Sequence, residues 1–211
     1  MYRLYYSPGA ASLAPHLVLR MLGVAHELVL VDRSRDQQRS SAYLALNPKA
    51  VIPTLVADEL ILTESAAICM YLADRHPAGR LAPVQASPAR ARWREWMVYL
   101  TNTVQPESML LHYPERYAAD EPVQAQLVAA ATERLEGHYR YVDSQLGDTP
   151  YLLGEHPGTC DLFLLMLARW ARELHRPPRH LPRLGALLER LLTHTAVRAC
   201  LDAEGISAPY V

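Results

Sequence analysis

The chain has 211 residues, half of them apolar, and a formal net charge of −1. That is enough for one large domain or two small ones, and it excludes the basic excess that draws a protein to nucleic acid or anionic membrane. No secretory apolar core follows Met1 and no apolar run is long enough to span a bilayer, so a cytoplasmic protein is expected.

Residues 2–6 read as a strand and 13–23 as a helix ended by Gly23. A second strand is expected at 27–31, followed by a polar stretch at 32–41 and a short helix at 41–46. Residues 54–57 and 60–62 form a hairpin that turns at Asp58-Glu59, and a helix runs from Ser65 to about His76. The order β-α-β-α-β-β-α is that of a thioredoxin-like α/β domain, placed at 1–80. Pro77, Gly79, Pro83 and Pro88 then break the pattern as a linker. Beyond them the period is helical: one long helix at 89–111, another at 121–146 stopped by Gly147, then 159–174, 181–192 and a short one near 195–202. The second domain, 88–211, is therefore expected to be all-α.

Residues 51–65 carry the most information. Pro53 opens a short apolar run, where proline is tolerated only at a strand's first residue, at an edge or in a turn. A cis Ile52–Pro53 bond there would turn the backbone of Ile52 outward, free to pair with an extended peptide. Glu64 and Ser65, at a helix start, offer backbone N–H groups and a hydroxyl to a carboxylate. Together these residues describe a site for a short peptide with a free carboxylate.

This segment resembles the glutathione site of the cytosolic glutathione transferases. Leu4-Tyr5-Tyr6-Ser7-Pro8-Gly9-Ala10-Ala11-Ser12-Leu13-Ala14-Pro15-His16 is similar to the first strand, loop and helix of their bacterial beta class. Asn47-Pro48-Lys49, then Leu153-Gly154 followed by Asp161, continue the likeness in order to about residue 170. The resemblance implies transfer of the glutathione thiolate to small, partly apolar electrophiles. It implies glutathione as co-substrate, no bound cofactor or metal, and a two-fold homodimer with the long helix at its interface. Two other functions stay open: a glutathione-dependent isomerase, dehalogenase or ether-cleaving enzyme, and a protein that binds glutathione or apolar ligands with little turnover.

Such an enzyme must hold a thiol as a thiolate. A free thiol titrates near about 8.5, and lowering that by about two units takes roughly 2.7 kcal/mol of anion stabilisation. Where the beta class has a cysteine this chain has Ala11, and where it has a histidine on the long helix this chain has Gln105, followed by Pro106. Mixed-disulfide chemistry through that cysteine is thus ruled out. Ser12, Tyr6 and Tyr5 are the candidate hydroxyl donors, with the positive end of the first helix as a source that needs no side chain. Ser12 can equally serve as an ordinary helix N-cap.

By the same resemblance Ala11, Ile52, Pro53, Glu64 and Ser65 surround the peptide, and Lys49, the only lysine, and Arg35 reach its glycine carboxylate. Both cations are equally at home on a solvated loop. Met109, Leu110 and Tyr113 are expected to line the electrophile's pocket, and Asp161 to cap its helix as a folding feature. The three cysteines, Cys69, Cys160 and Cys200, are scattered, odd in number and without metal spacing, which fits packing in a reducing compartment. His175 and His180 flank a proline-broken loop with no matching carboxylates or cysteines, so no metal is expected there.

Overall fold

A row of four leucines runs across the first sheet. Leu4 of β1 (Tyr2–Tyr6) pairs with Leu28 of β2 (His26–Leu30) on one side and with Leu55 of β3 (Thr54–Ala57) on the other, and Leu55 pairs with Leu62 of β4 (Leu60–Thr63). Leu4 and Leu55 are fully buried. The strand order is β2-β1-β3-β4, with β1 and β2 parallel and the other pairs antiparallel. Parallel strands need a crossover, and α1 (Leu13–Leu22) supplies it. Gly23, at φ 65, ends α1 in the left-handed conformation that only glycine adopts freely. The structure, a computed structural model, describes all residues from Met1 to Val211.

The polar stretch between β2 and α2 (Ser41–Leu44) is not a loop but two 3₁₀ turns, Arg33–Arg35 and Gln37–Arg39. Asp32 opens the first by accepting the Ser34 N–H at 2.9 Å. The α2 helix is two residues shorter than expected. After the hairpin, α3 (Ser65–Arg75) buries Ile68, Cys69 and Leu72.

The chain divides into two compact units: Met1–Ala82 with Thr193–Ser207, and Pro83–Leu192 with Ala208–Val211. The last helix, α9 (Thr195–Ala203), packs on α1 and so falls in the first unit.

The second unit is helical. Its elements are α4 (Pro88–Tyr99), α5 (Gln105–His112), α6 (Glu121–Gln145), α7 (Thr159–Trp170) and α8 (Pro182–Thr193). Ser87 caps α4 and Asp120 caps α6 through side-chain oxygens, as their residue types predict. The expected single helix at 89–111 is interrupted. Leu100–Val104 forms a turn of π-helix, and the Gln105 N–H bonds the Leu100 carbonyl five residues back. Pro106 explains it: proline cannot donate to the carbonyl of Asn102, and its ring crowds that oxygen. Likewise the helix expected to reach residue 174 stops at Trp170.

Side chains tie the helices together. The Trp93 indole donates to Thr159 Oγ1 at 2.6 Å, and the Tyr139 hydroxyl donates to the Leu167 carbonyl at 2.9 Å. Asp161 is fully buried and accepts two backbone N–H groups, from Leu152 at 2.9 Å and Gly158 at 2.7 Å. It therefore staples the 152–158 loop to the start of α7. Removing it strands two donors in a dry site, so Asp161→Ala is expected to cost about 2–4 kcal/mol in urea unfolding. Burial pushes the Asp161 carboxyl up to about 6 from its ordinary 3.8. Between those two values the folded chain keeps a proton that the unfolded chain has released, so this group's contribution to stability falls as pH rises through that window and is level above it. Asp161→Asn is expected to flatten that part of the stability profile, measured as urea midpoint against pH.

Candidate functional site

The leucine row fixes what stands next to it. One residue toward the sheet's end, Tyr5 pairs with Thr54, and Thr54 pairs with Thr63. Three chain segments therefore leave the sheet side by side: the turn after Tyr6, the Ile52–Pro53 entry to β3, and the Glu64–Ser65 start of α3. The segments singled out in the sequence are brought together by register alone.

Ile52–Pro53 is cis, as expected. The carbonyl before it is held by two donors, the Tyr43 hydroxyl and the Asn47 side-chain amide, each 2.7 Å from Val51 O. Tyr43 also bonds Thr54 Oγ1 at 3.0 Å. This leaves the N–H and C=O of Ile52, a half-buried residue, without a partner in the protein. A residue beside a strand with both backbone groups unpaired is an open position for one more strand.

At the start of α3, Glu64 has φ 70 and ψ 115, an uncommon conformation for a residue with a side chain. No side chain caps this helix, and the Ser65 hydroxyl makes no hydrogen bond. The first N–H groups of α3 thus bond no backbone acceptor and make a ready anion site. Lys49 bridges to Glu64 and donates to Thr63 Oγ1 at 2.9 Å. Lys49, Thr63, Glu64 and Ser65 are one group. Arg35 is not brought into it; it lies exposed on the 33–35 turn, beside Asp32.

The turn at residues 7–12 is held internally by Ser12. Its hydroxyl donates to the Ser7 carbonyl at 3.1 Å and accepts the Ser7 N–H at 3.2 Å, and the residue is fully buried. Ser12 makes no side-chain cap of α1. Its one proton is therefore committed within the turn. The N–H groups of Ala11 and Ser12, by contrast, bond no backbone acceptor and lie at the positive end of α1. Tyr6 is half-buried with its ring 6.5 Å from that of His16, and Tyr5 packs against Tyr43 at 5.9 Å.

Behind the turn lies a buried group that the sequence did not reveal. Glu204, just past α9, accepts the Gly9 N–H at 2.8 Å through one carboxylate oxygen and bonds His16 Nδ1 at 2.8 Å through the other. Arg20 Nε donates to His16 Nε2 at 3.1 Å. His16, Cys200 and Glu204 offer N, S and O ligand atoms within 4.8 Å of one another. Those of His16 and Glu204 are already engaged with each other, and burial followed by the nearby Glu204 charge pushes the Cys200 thiol up, keeping it protonated. The group fits a hydrogen-bonded clamp better than a metal site. Burial likewise raises the thiols of Cys69 and Cys160, so neither is a nucleophile.

In the helical unit, Gln105 follows the π turn and is half-buried, as are Met109, Leu110 and Tyr113. Arg116 lies over the Tyr113 ring at 4.1 Å. A shallow groove of about 440 Å³ runs between α4 and α6, lined by Trp96, Tyr99 and Tyr141 among others. No helix of the protein is long and apolar enough to cross a membrane.

The functional partners missed in the sequence are Tyr43 and Glu204. An aromatic in a short helix gives no local sign that it will reach a carbonyl eight residues on. Glu204 is 195 residues from the glycine it holds.

Two family profiles match the chain: glutathione S-transferase, N-terminal domain, over residues 1–74, and glutathione S-transferase, C-terminal domain, over residues 125–191. The chain is 32% identical over 205 residues to glutathione S-transferase GST-4.5 of Xanthomonas campestris pv. campestris, covering 97% of this chain and 100% of that protein. The solved glutathione S-transferase of Xylella fastidiosa matches with a TM-score of 0.90 at 31% identity, over 98% of this chain and 100% of that one. A sphingomonad glutathione S-transferase complexed with glutathione matches with a TM-score of 0.84 at 32% identity, over 97% and 100%. With both halves matched and likeness sustained from end to end, the chain belongs to the glutathione S-transferase family.

Proposed function

We propose that the protein transfers the thiolate of glutathione to small, electrophilic, partly apolar compounds. The observation that carries this is the unpaired backbone of Ile52 standing beside the open helix start at Ser65. The extended tripeptide pairs its cysteinyl residue with the N–H and C=O of Ile52. Its γ-glutamyl carboxylate meets the Ser65 hydroxyl and the first N–H groups of α3, and Glu64 receives the ammonium beside it. Lys49 holds Glu64 in place through their ion pair.

The thiol then lies at the turn before α1. Because the Ser12 proton is committed to Ser7, the anion is stabilised by the N–H of Ala11, a half-buried residue, and by the helix end behind it. A hydrogen bond to a charged acceptor contributes about 1.5–3 kcal/mol and a helix end about 0.3–1 kcal/mol, which together reach the roughly 2.7 kcal/mol that a two-unit shift requires. The thiol proton leaves to solvent, the sulfur lone pair forms the carbon–sulfur bond, and the leaving group departs with its electron pair. The protein's share is thiolate stabilisation and approximation of the reactants.

Ser65→Ala should weaken glutathione binding by about 1–2 kcal/mol, read by calorimetry, through loss of a hydroxyl donor to a carboxylate. Unchanged affinity would move the carboxylate site elsewhere.

The ultraviolet thiolate band of bound glutathione, titrated from about pH 5 to 9, tests the activation, since a free thiol titrates near 8.5. The wild-type band should titrate well below the free thiol. Ser12→Ala should raise its pKa by loosening the turn and cost about 1–2 kcal/mol of stability, since the part-buried Ser7 N–H loses its partner while the Ser7 carbonyl keeps the Ala10 N–H. Tyr6→Phe should change neither quantity; a raised pKa in that variant alone would transfer the role to the Tyr6 hydroxyl. Turnover of a generic aryl halide separates a transferase from a protein that only binds.

We also propose a homodimer with the long α4–α5 helix at its interface. The exposure of Val98 (54%) and Tyr141 (46%) beside the aromatic groove supports it. Sedimentation at micromolar concentration should show a particle twice the 23.7 kDa chain.

A further inference from the structure

The turn that faces the thiol is held from outside as well as from within. Ser12 closes it from within, and Gly9, at φ 65, bends it so that its N–H points away from the site. That N–H meets Glu204 Oε2 at 2.8 Å, while Glu204 Oε1 takes His16 Nδ1 at 2.8 Å. The Glu204 and His16 side chains are fully buried. The pattern has a fixed polarity. Arg20 Nε is always a donor, so His16 Nε2 must accept from it at 3.1 Å. His16 is then the neutral Nδ1–H tautomer, and Nδ1 must donate. Two donors, the Gly9 N–H and the His16 N–H, converge on one side chain, and only a double acceptor satisfies both.

We propose that Glu204 is a positioning residue for the transfer reaction: from the far end of the chain it locks the 7–12 turn, through Gly9 and His16, so that the Ala11 N–H and the positive end of α1 stay aimed at the sulfur. It touches neither glutathione nor electrophile. Losing its lock lets the turn relax, and the Ala11 N–H loses its aim. The inference rests on the proposed thiolate activation by that turn.

The test uses the full chain and exploits the polarity. Glu204→Gln keeps the shape but offers one acceptor and one donor. If its oxygen takes the Gly9 N–H, its amide faces His16, which must then switch to the Nε2–H tautomer. That proton collides with the Arg20 donor. Arg20→Gln, in the same molecule, places an amide oxygen at the branch position where Nε stood, and the switched histidine can donate to it. Two readouts are taken: the pKa of bound glutathione from its thiolate band, and amide exchange at Gly9, Ala11 and Ser12.

In Glu204→Gln the bound thiol pKa should rise by about one unit, a tenfold loss of stabilisation, and the three amides should exchange faster. Glutathione affinity should hold within about two-fold, because Ile52 and the α3 start are untouched. The double variant Glu204→Gln/Arg20→Gln should recover both readouts. If Glu204→Gln does not fold, Glu204→Asp, one methylene short and still charged, is read the same way and should show the same raised pKa and faster exchange. An unchanged pKa and unchanged exchange in the single variant, or no recovery in the double, overturns the inference. A wild-type thiol pKa no lower than that of free glutathione sinks the activation reading instead. The exchange rates then still report whether Glu204 locks the turn.

Discussion

One row of leucines sets the geometry at the sheet's end. Leu28, Leu4, Leu55 and Leu62 share a register because the inner pair must be dry. A slip of one residue would turn every side chain of a strand to the opposite face. The same register puts Tyr5, Thr54 and Thr63 in line, and so aligns the three segments that leave the sheet beyond them. The site is therefore a consequence of core packing, which holds its pieces in place without a contact of its own.

Each of the three segments is then finished by a local device. The Val51 carbonyl, gripped by Tyr43 and Asn47, frees Ile52 for an outside partner. The absent side-chain cap on α3 leaves its first N–H groups for an anion, and the strained Glu64 backbone stands at that start. The turn at residues 7–12 is closed by Ser12 and by Glu204. At Val51 and in the 7–12 turn, part-buried hydrogen bonds fix the backbone so that neighbouring polar groups remain unsatisfied. Local satisfaction behind the site makes the unsatisfied face in front of it.

The helical unit follows a different logic. Its helices are joined by buried donors such as Trp93 and Tyr139, and by Asp161 under the start of α7. The π turn at Leu100–Val104 follows from Pro106 in the middle of a long helix. The helix continues because α5 packs along α6, where Arg134 forks onto Glu107 with two bonds of 2.8 Å. Packing there outweighs the loss of one ladder bond.

The sequence by itself determined the strand and helix order, the proline at the entry to β3, the helix start at Glu64–Ser65 and the cap at Asp161. These are local signals: a period, a turn residue, a missing N–H. It also made clear what the chain lacks, with Ala11 and Gln105 at the two positions where its relatives' resemblance predicts cysteine and histidine. It did not determine what Ser12 does. A serine before a helix can cap it or face a ligand, and only the fold of the 7–12 turn sends its proton to Ser7. Pro106 was visible, yet whether it would end the helix or bend it depended on the neighbours that hold α5. Glu204 was beyond reach, because nothing near residue 204 tells that it will meet Gly9. That contact exists only once α9 has packed on α1, and hydrophobic burial between those helices, rather than any motif, decides it.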